Sequence, residues 1–202
     1  MAEALRASGH DVAVPDLREA AIRGAPRAVI DAALQLTWKE PTVLAGHSGA
    51  GFFLPSIAAG LDSPVRRLIF VDAGVPPCEG EATARAEFLE QLRSLARDGT
   101  LPKWSTWWGD SVMETLVPDG ARRAVIEAEM PQVPLAFLES ATTLPVGWCE
   151  GPNAFLLLSE PYRRDANTGR SLGWPVVEDL GGHLDIVNDP ESLARRLVDL
   201  AS

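Results

Sequence analysis

The stretch Thr42–Gly51, TVLAGHSGAG, decides how the rest of the chain is read. An apolar run enters Gly46-His47-Ser48-Gly49-Ala50-Gly51, and FFLPSIAAG follows with the apolar and small residues of a helix. A strand that turns directly into a helix needs a tight reversal, and small residues beside the apex relieve its crowding. A serine at that apex is pushed clear of the sheet. Its hydroxyl then lies at the start of the helix, where backbone N–H groups favour developing negative charge. Such a hydroxyl is placed to attack a carbonyl. Ala50 stands where the G-x-S-x-G pattern carries its last glycine, and it is small enough to fit.

Outward from this turn the chain alternates helical and apolar segments. AEALRASG reads as a short amphipathic helix ending at Gly9, and a strand is expected from about Val12, with Pro15 and Asp16 near its end. APRAVIDAALQLTWKE is a second helix, with Pro26 near its first turn and Pro41 beyond its end. RRLIFVDAG, residues 66–74, is a continuous apolar run suited to a parallel strand covered on both faces. After Val75-Pro76-Pro77 the rhythm changes: residues 78 to about 150 hold no convincing strand, while EATARAEFLEQLRSLARDG and DGARRAVIEAEM have helical spacing. Strand character resumes at NAFLLLS and PVVEDL, and DPESLARRLVDLA closes the chain as a helix. The prediction is an α/β fold with a mostly parallel sheet flanked by helices. It comprises one domain over 1–202 with a helical insertion at about 78–150.

Composition narrows the function. The 202 residues suit one domain that buries about 70% of its unfolded surface. A net charge of −10 argues against a nucleic-acid partner, which needs clustered Lys and Arg. No apolar run approaches a membrane span, and the N-terminus has no apolar core of signal-peptide length, so a cytoplasmic protein is expected. All but two of the 18 basic residues are arginine, which with abundant Ala, Gly and Pro suggests a GC-rich bacterial genome. Three histidines lack paired metal-ligand spacing, and no cofactor is called for. Cys78 and Cys149 form no C-x-x-C and are read as two free, buried or half-buried thiols. A homo-oligomer stays open.

With strand, G-x-S-x-A turn, helix and a late GGHLD in that order, the chain resembles the α/β-hydrolase superfamily over nearly its whole length. The resemblance implies that Ser48 is a nucleophile and that His183, after the last strand and the pair Gly181-Gly182, is its base. His10 falls at the wrong end of the sheet, and His47 precedes the nucleophile, where the family often has a histidine that bonds locally. The acid is Asp72, at the end of LIFVDAG, with Glu160 and then Asp165 as alternatives. The Gly49 N–H would be one oxyanion donor. The strand and loop that carry the second donor in the family are missing from this sequence, which starts at what looks like the first helix. Either the chain is a shortened form, or the strands near Val12 and Thr42 pair directly, or a partner supplies the strand.

The insertion would be a lid, with Trp104, Trp107 and Trp108 either lining an apolar substrate pocket or packing the lid. The implied function is hydrolysis of an ester, thioester or amide of a small hydrophobic molecule through an acyl-serine. The alternatives are a lyase, cyclase or epimerase of secondary metabolism on the same scaffold, or a small-molecule-binding protein without catalysis.

Overall fold

A computed structural model describes residues 1–109 and 111–202. In chain order its strands are β1 (Thr42–Ser48), β2 (Val65–Ala73), β3 (Glu81–Ala82), β4 (Thr142–Thr143), β5 (Asn153–Leu157) and β6 (Val176–Glu178). β1, β2, β5 and β6 form one sheet in that order, and every pairing is parallel. β3 and β4 form a separate two-stranded ladder. The chain divides into two compact units. The first holds Met1–Val14, Leu34–Ala82 and Thr143–Ser202, and the second holds Pro15–Ala33 and Thr83–Thr142.

In the first unit the sheet is covered on both faces, as its unbroken apolar strands require. Successive side chains of a strand point to opposite faces. Leu68 and Phe70 of β2 therefore join Phe155 and Leu157 of β5 in one core, under Leu54, Trp148, Ala166 and Trp174. Ile69, Val71, Ala154, Leu156 and Leu158 form the other core against Leu193, Leu197 and Leu200. Those last three lie on one face of the closing helix Pro190–Ala201, whose first turn is fixed by Pro190 and by the Asp189 carboxylate accepting from the Ser192 N–H. The helix Ala2–Ala7 adds Leu5, and Met1 before it, to the same core.

The expected strand near Val12 does not form, and β1 is an edge of the described sheet, paired with β2. A strand persists only where its N–H and C=O groups meet a neighbour. Without an intervening strand, the Val12 carbonyl is instead held by the Arg6 guanidinium at 2.8 and 3.1 Å. Direct pairing of the two segments is thereby ruled out in this structure.

The expectation of free thiols is also corrected: Cys78 and Cys149 form a disulfide, with Cα atoms 5.4 Å apart. They are 71 residues apart in sequence, but both belong to the first unit, where the chain after β2 and the chain before β5 come together. The Trp148 indole N–H donates to the Pro77 carbonyl at 3.0 Å, and the Leu144 N–H donates to the Gly80 carbonyl. Sequence spacing gives no sign of this meeting because the fold creates it.

The second unit is mostly helical, with Arg18–Ile22, Pro26–Ala33, Ala86–Leu95, Val112–Leu116, Gly120–Glu129 and Leu135–Glu139. Its core is Leu92, Leu101 and Trp107, with Phe88, Trp104, Val133, Leu135 and Leu138 packed around them. The Asp119 carboxylate caps Gly120–Glu129 by accepting from the N–H groups of Ala121 and Arg122. No described helix is long and apolar enough to cross a membrane.

Candidate active site

Ser48 closes β1 with φ 57° and ψ −125°, a conformation that costs a non-glycine residue about 1–3 kcal/mol. The turn is held by close approach. A Cβ on Gly46 would lie 2.9 Å from the Leu54 side chain, and one on Gly51 would lie 2.2 Å from the Gly74 carbonyl oxygen. Gly51, rather than the substituted position Ala50, is therefore where the backbone tolerates no side chain. The Gly74 N–H donates to the Ser48 carbonyl at 3.2 Å and ties the turn to the end of β2. Beyond Ser48 the chain enters a 3-10 turn, Gly49–Phe53, before the α-helix Leu54–Gly60, so the expected direct passage into an α-helix is interrupted by one tighter turn.

Asp72 sits at the same end of the neighbouring strand, also with positive φ (43°), and is wholly buried. Its Oδ1 accepts from the N–H groups of Leu158 and Ser159 at 2.9 Å, and its Oδ2 accepts from the Ser159 hydroxyl at 2.5 Å. The same Oδ2 lies 2.7 Å from His183 Nδ1. Burial pushes the carboxyl up, but the hydrogen bonds from His183, Ser159 and the two backbone groups outweigh it and hold Asp72 below its ordinary range. A buried carboxylate kept ionised in this way fixes the Nδ1–H tautomer of the imidazole and would stabilise its cation.

Of the other acids, Glu160 is exposed and forms an ion pair with Arg163 at 2.6 Å, whose hydrogen bond lowers its carboxyl. Asp165 is buried and accepts from the Val75 N–H at 2.9 Å, holding the loop that follows Asp72. The structure brings Asp72, and not Glu160, to His183.

Several groups that the sequence did not single out for the site complete it. His47 Nε2 lies 2.8 Å from the His183 carbonyl, to which only a protonated nitrogen can donate, and the two rings lie 4.4 Å apart. Tyr162 stacks on the His183 ring at 5.0 Å and 8°, and its hydroxyl lies 3.0 Å from Ser48 Oγ. Asp185 Oδ2 accepts from the Gly182 N–H at 2.8 Å. A Cβ on Gly181 would lie 2.2 Å from that same oxygen. The glycine pair therefore makes room for a carboxylate that fixes the His183 loop. Tyr162 is the only tyrosine in the sequence and ends the turn Glu160–Tyr162 that follows β5.

The three tryptophans lie in the second unit. Trp104 and Trp107 pack into its own core, where the Trp107 indole N–H donates to the Pro102 carbonyl. Trp108 stacks on Phe88 at 5.9 Å and remains 43% exposed. Gly49 opens the 3-10 turn beside Ser48. No group of three His, Cys, Asp or Glu suited to a metal occurs among the described residues.

His47 makes the first unit acid-sensitive. Burial, and then the neighbouring His183, push its pKa down from 6.5 to about 4. The unfolded chain takes up this proton near pH 6.5 and the folded chain does so only near 4. The contribution is thus complete above pH 6.5 and is lost as pH falls toward 4, by up to about 3 kcal/mol. Urea unfolding at a series of pH values should show that slope in the wild type. His47→Gln, which keeps a donor for the His183 carbonyl, should flatten it. Parallel curves for the two proteins would overturn the assignment.

No protein-family model matches the chain, and no curated protein matches it. Solved structures do. An extracellular α/β-hydrolase from a Paenibacillus species, described as sharing structural and functional homology with tobacco salicylic acid binding protein 2, is similar with a TM-score of 0.74 at 20% identity. That match covers 98% of this chain and 90% of the other. Polyneuridine aldehyde esterase is similar with a TM-score of 0.68 at 15% identity, covering 100% and 92%. The methylesterase MES16 from Arabidopsis is similar with a TM-score of 0.61 at 14% identity, covering 96% and 88%.

Proposed function

We propose that this chain, which has the α/β-hydrolase fold, is a serine hydrolase that cleaves an ester, thioester or amide of a small hydrophobic molecule. The observation that carries the reading is the buried, ionised Asp72 on His183 Nδ1, at the strand end next to a strained Ser48. Ser48 Oγ attacks the carbonyl carbon while His183 Nε2 takes the hydroxyl proton. The carbonyl electron pair moves to oxygen, where the Gly49 N–H donates to it. The C–O, C–S or C–N bond to the leaving group then breaks as His183 returns the proton, and water repeats the sequence on the acyl-serine. Asp72 stays ionised throughout.

Similarity in fold to an esterase and a methylesterase supports the ester as the first substrate class to try. The disulfide favours an oxidising compartment for this activity over the cytoplasm expected from the N-terminal sequence.

Intact-mass spectrometry after exposure to a fluorophosphonate tests the reading. One adduct per chain is expected, mapping to Ser48 and lost in Ser48→Ala. A folded wild-type chain that takes up no adduct would sink the serine-hydrolase assignment.

A further inference from the structure

We propose that the Tyr162 hydroxyl is an oxyanion donor in the reaction of Ser48, acting beside the Gly49 N–H. The proposal rests on the serine-hydrolase reading and adds a catalytic residue to it.

The contact of 3.0 Å between Tyr162 Oη and Ser48 Oγ has two directions in principle, and the chemistry selects one. Ser48 must direct its own proton to His183 Nε2 to be activated, so its lone pairs are what remain for Tyr162. Once Ser48 directs its proton to His183, the phenol O–H is the donor of this contact. When Oγ bonds to the carbonyl carbon through one lone pair, the O–H pair left behind by the proton replaces it, and Oγ becomes an ether-like oxygen that accepts more weakly. Full negative charge appears on the former carbonyl oxygen, two bonds from Oγ. A donor already in contact with Oγ reaches that oxygen by a small rotation, into the range of about 2.7–3.1 Å that stabilisation requires. The phenol keeps its own proton and exchanges a neutral partner for a charged one.

That exchange is what makes the group catalytic. A neutral hydrogen bond in the ground state becomes a charge-assisted one in the transition state, roughly twice as strong, so the gain is differential. The tyrosine is also held in place beforehand. Its ring stacks on His183, and the 3-10 turn Glu160–Tyr162 fixes its backbone directly after the Ser159 that binds Asp72. The same short segment thus serves the acid, the base and the nucleophile.

Tyr162→Phe removes the hydroxyl and keeps the stacked ring. The expected result with p-nitrophenyl butyrate is a fall in kcat of about 100-fold, with KM little changed. The pH of half-maximal rate should not move, because the ring on His183 is unchanged. Affinity for a trifluoromethyl ketone, which forms the tetrahedral adduct, should fall by a similar factor, and fluorophosphonate labelling of Ser48 should slow in parallel. Undiminished ketone affinity would overturn the proposal, and a shifted pH profile alongside it would assign Tyr162 to positioning His183. Equal labelling rates for Tyr162→Phe and the wild type overturn the oxyanion role alone, whereas no labelling of the wild type overturns the hydrolase reading and this proposal together.

Discussion

Asp72→Asn should leave a folded protein whose kcat is lower by about 10⁴-fold, with KM nearly unchanged. The size of the effect follows from the proton inventory around one side chain. Oδ1 of Asp72 accepts two backbone N–H groups, and the amide oxygen of asparagine can replace it there. The other position faces the Ser159 hydroxyl and His183 Nδ1, and an amide nitrogen in that place is a donor. Nδ1 must then become an acceptor, so the ring proton moves to Nε2. The nitrogen that should take the proton from Ser48 is already protonated. Steady-state kinetics on a chromogenic ester, with unfolding curves beside them, checks this. A variant with near wild-type kcat would show that Asp72 only shapes the loop after β5.

Replacing Cys78 and Cys149 by alanine should lower unfolding free energy by about 4 kcal/mol at 25 °C, while the labelling rate of Ser48 stays close to that of the native protein. The bonded cysteines are 71 residues apart, and on the loop-entropy account most of the stabilisation comes from restricting the unfolded chain. In the folded state the neighbourhood of the bond is held independently. The Trp174 indole N–H donates to the Cys149 carbonyl, the Asn153 amide donates to the Trp148 carbonyl, and the Trp148 indole donates to the Pro77 carbonyl. The stability change should therefore appear without a matching change in the site. Urea unfolding of the alanine pair against the oxidised wild type measures it, and identical midpoints would refute it.

Features that depend on one segment and its immediate neighbours are legible in the sequence. The unbroken apolar runs of β2 and β5 announce a sheet covered on both faces, and small residues around Ser48 announce a tight turn at a strand end. The same logic places Asp72 at the end of β2 and His183 in a loop after β6, because strand ends can be read from where apolar runs stop. What cannot be read depends on partners distant in sequence. The Val12 segment has strand-like residues but pairs with no strand among the described residues, and local propensity carries no information about that. Cys78 and Cys149 meet because two segments converge beside Trp148, and their spacing is silent on it. Tyr162 reads as an ordinary residue after a strand until its hydroxyl is seen at Ser48 and its ring on His183. The Gly181-Gly182 pair stands out in the sequence, but the approach of the Asp185 carboxylate that it permits shows only in the fold.

The disulfide also changes what a break in the chain means. Most of the second unit, Thr83–Thr142, lies within the span that Cys78 and Cys149 enclose. A protease that cuts once anywhere inside that span opens a covalent ring without dividing the molecule. The cut protein keeps the mass of the whole chain plus one water, and its two pieces part only when a reductant reaches the sulfur pair. The helical excursion can thus be clipped while Ser48, on one piece, and His183, on the other, remain joined.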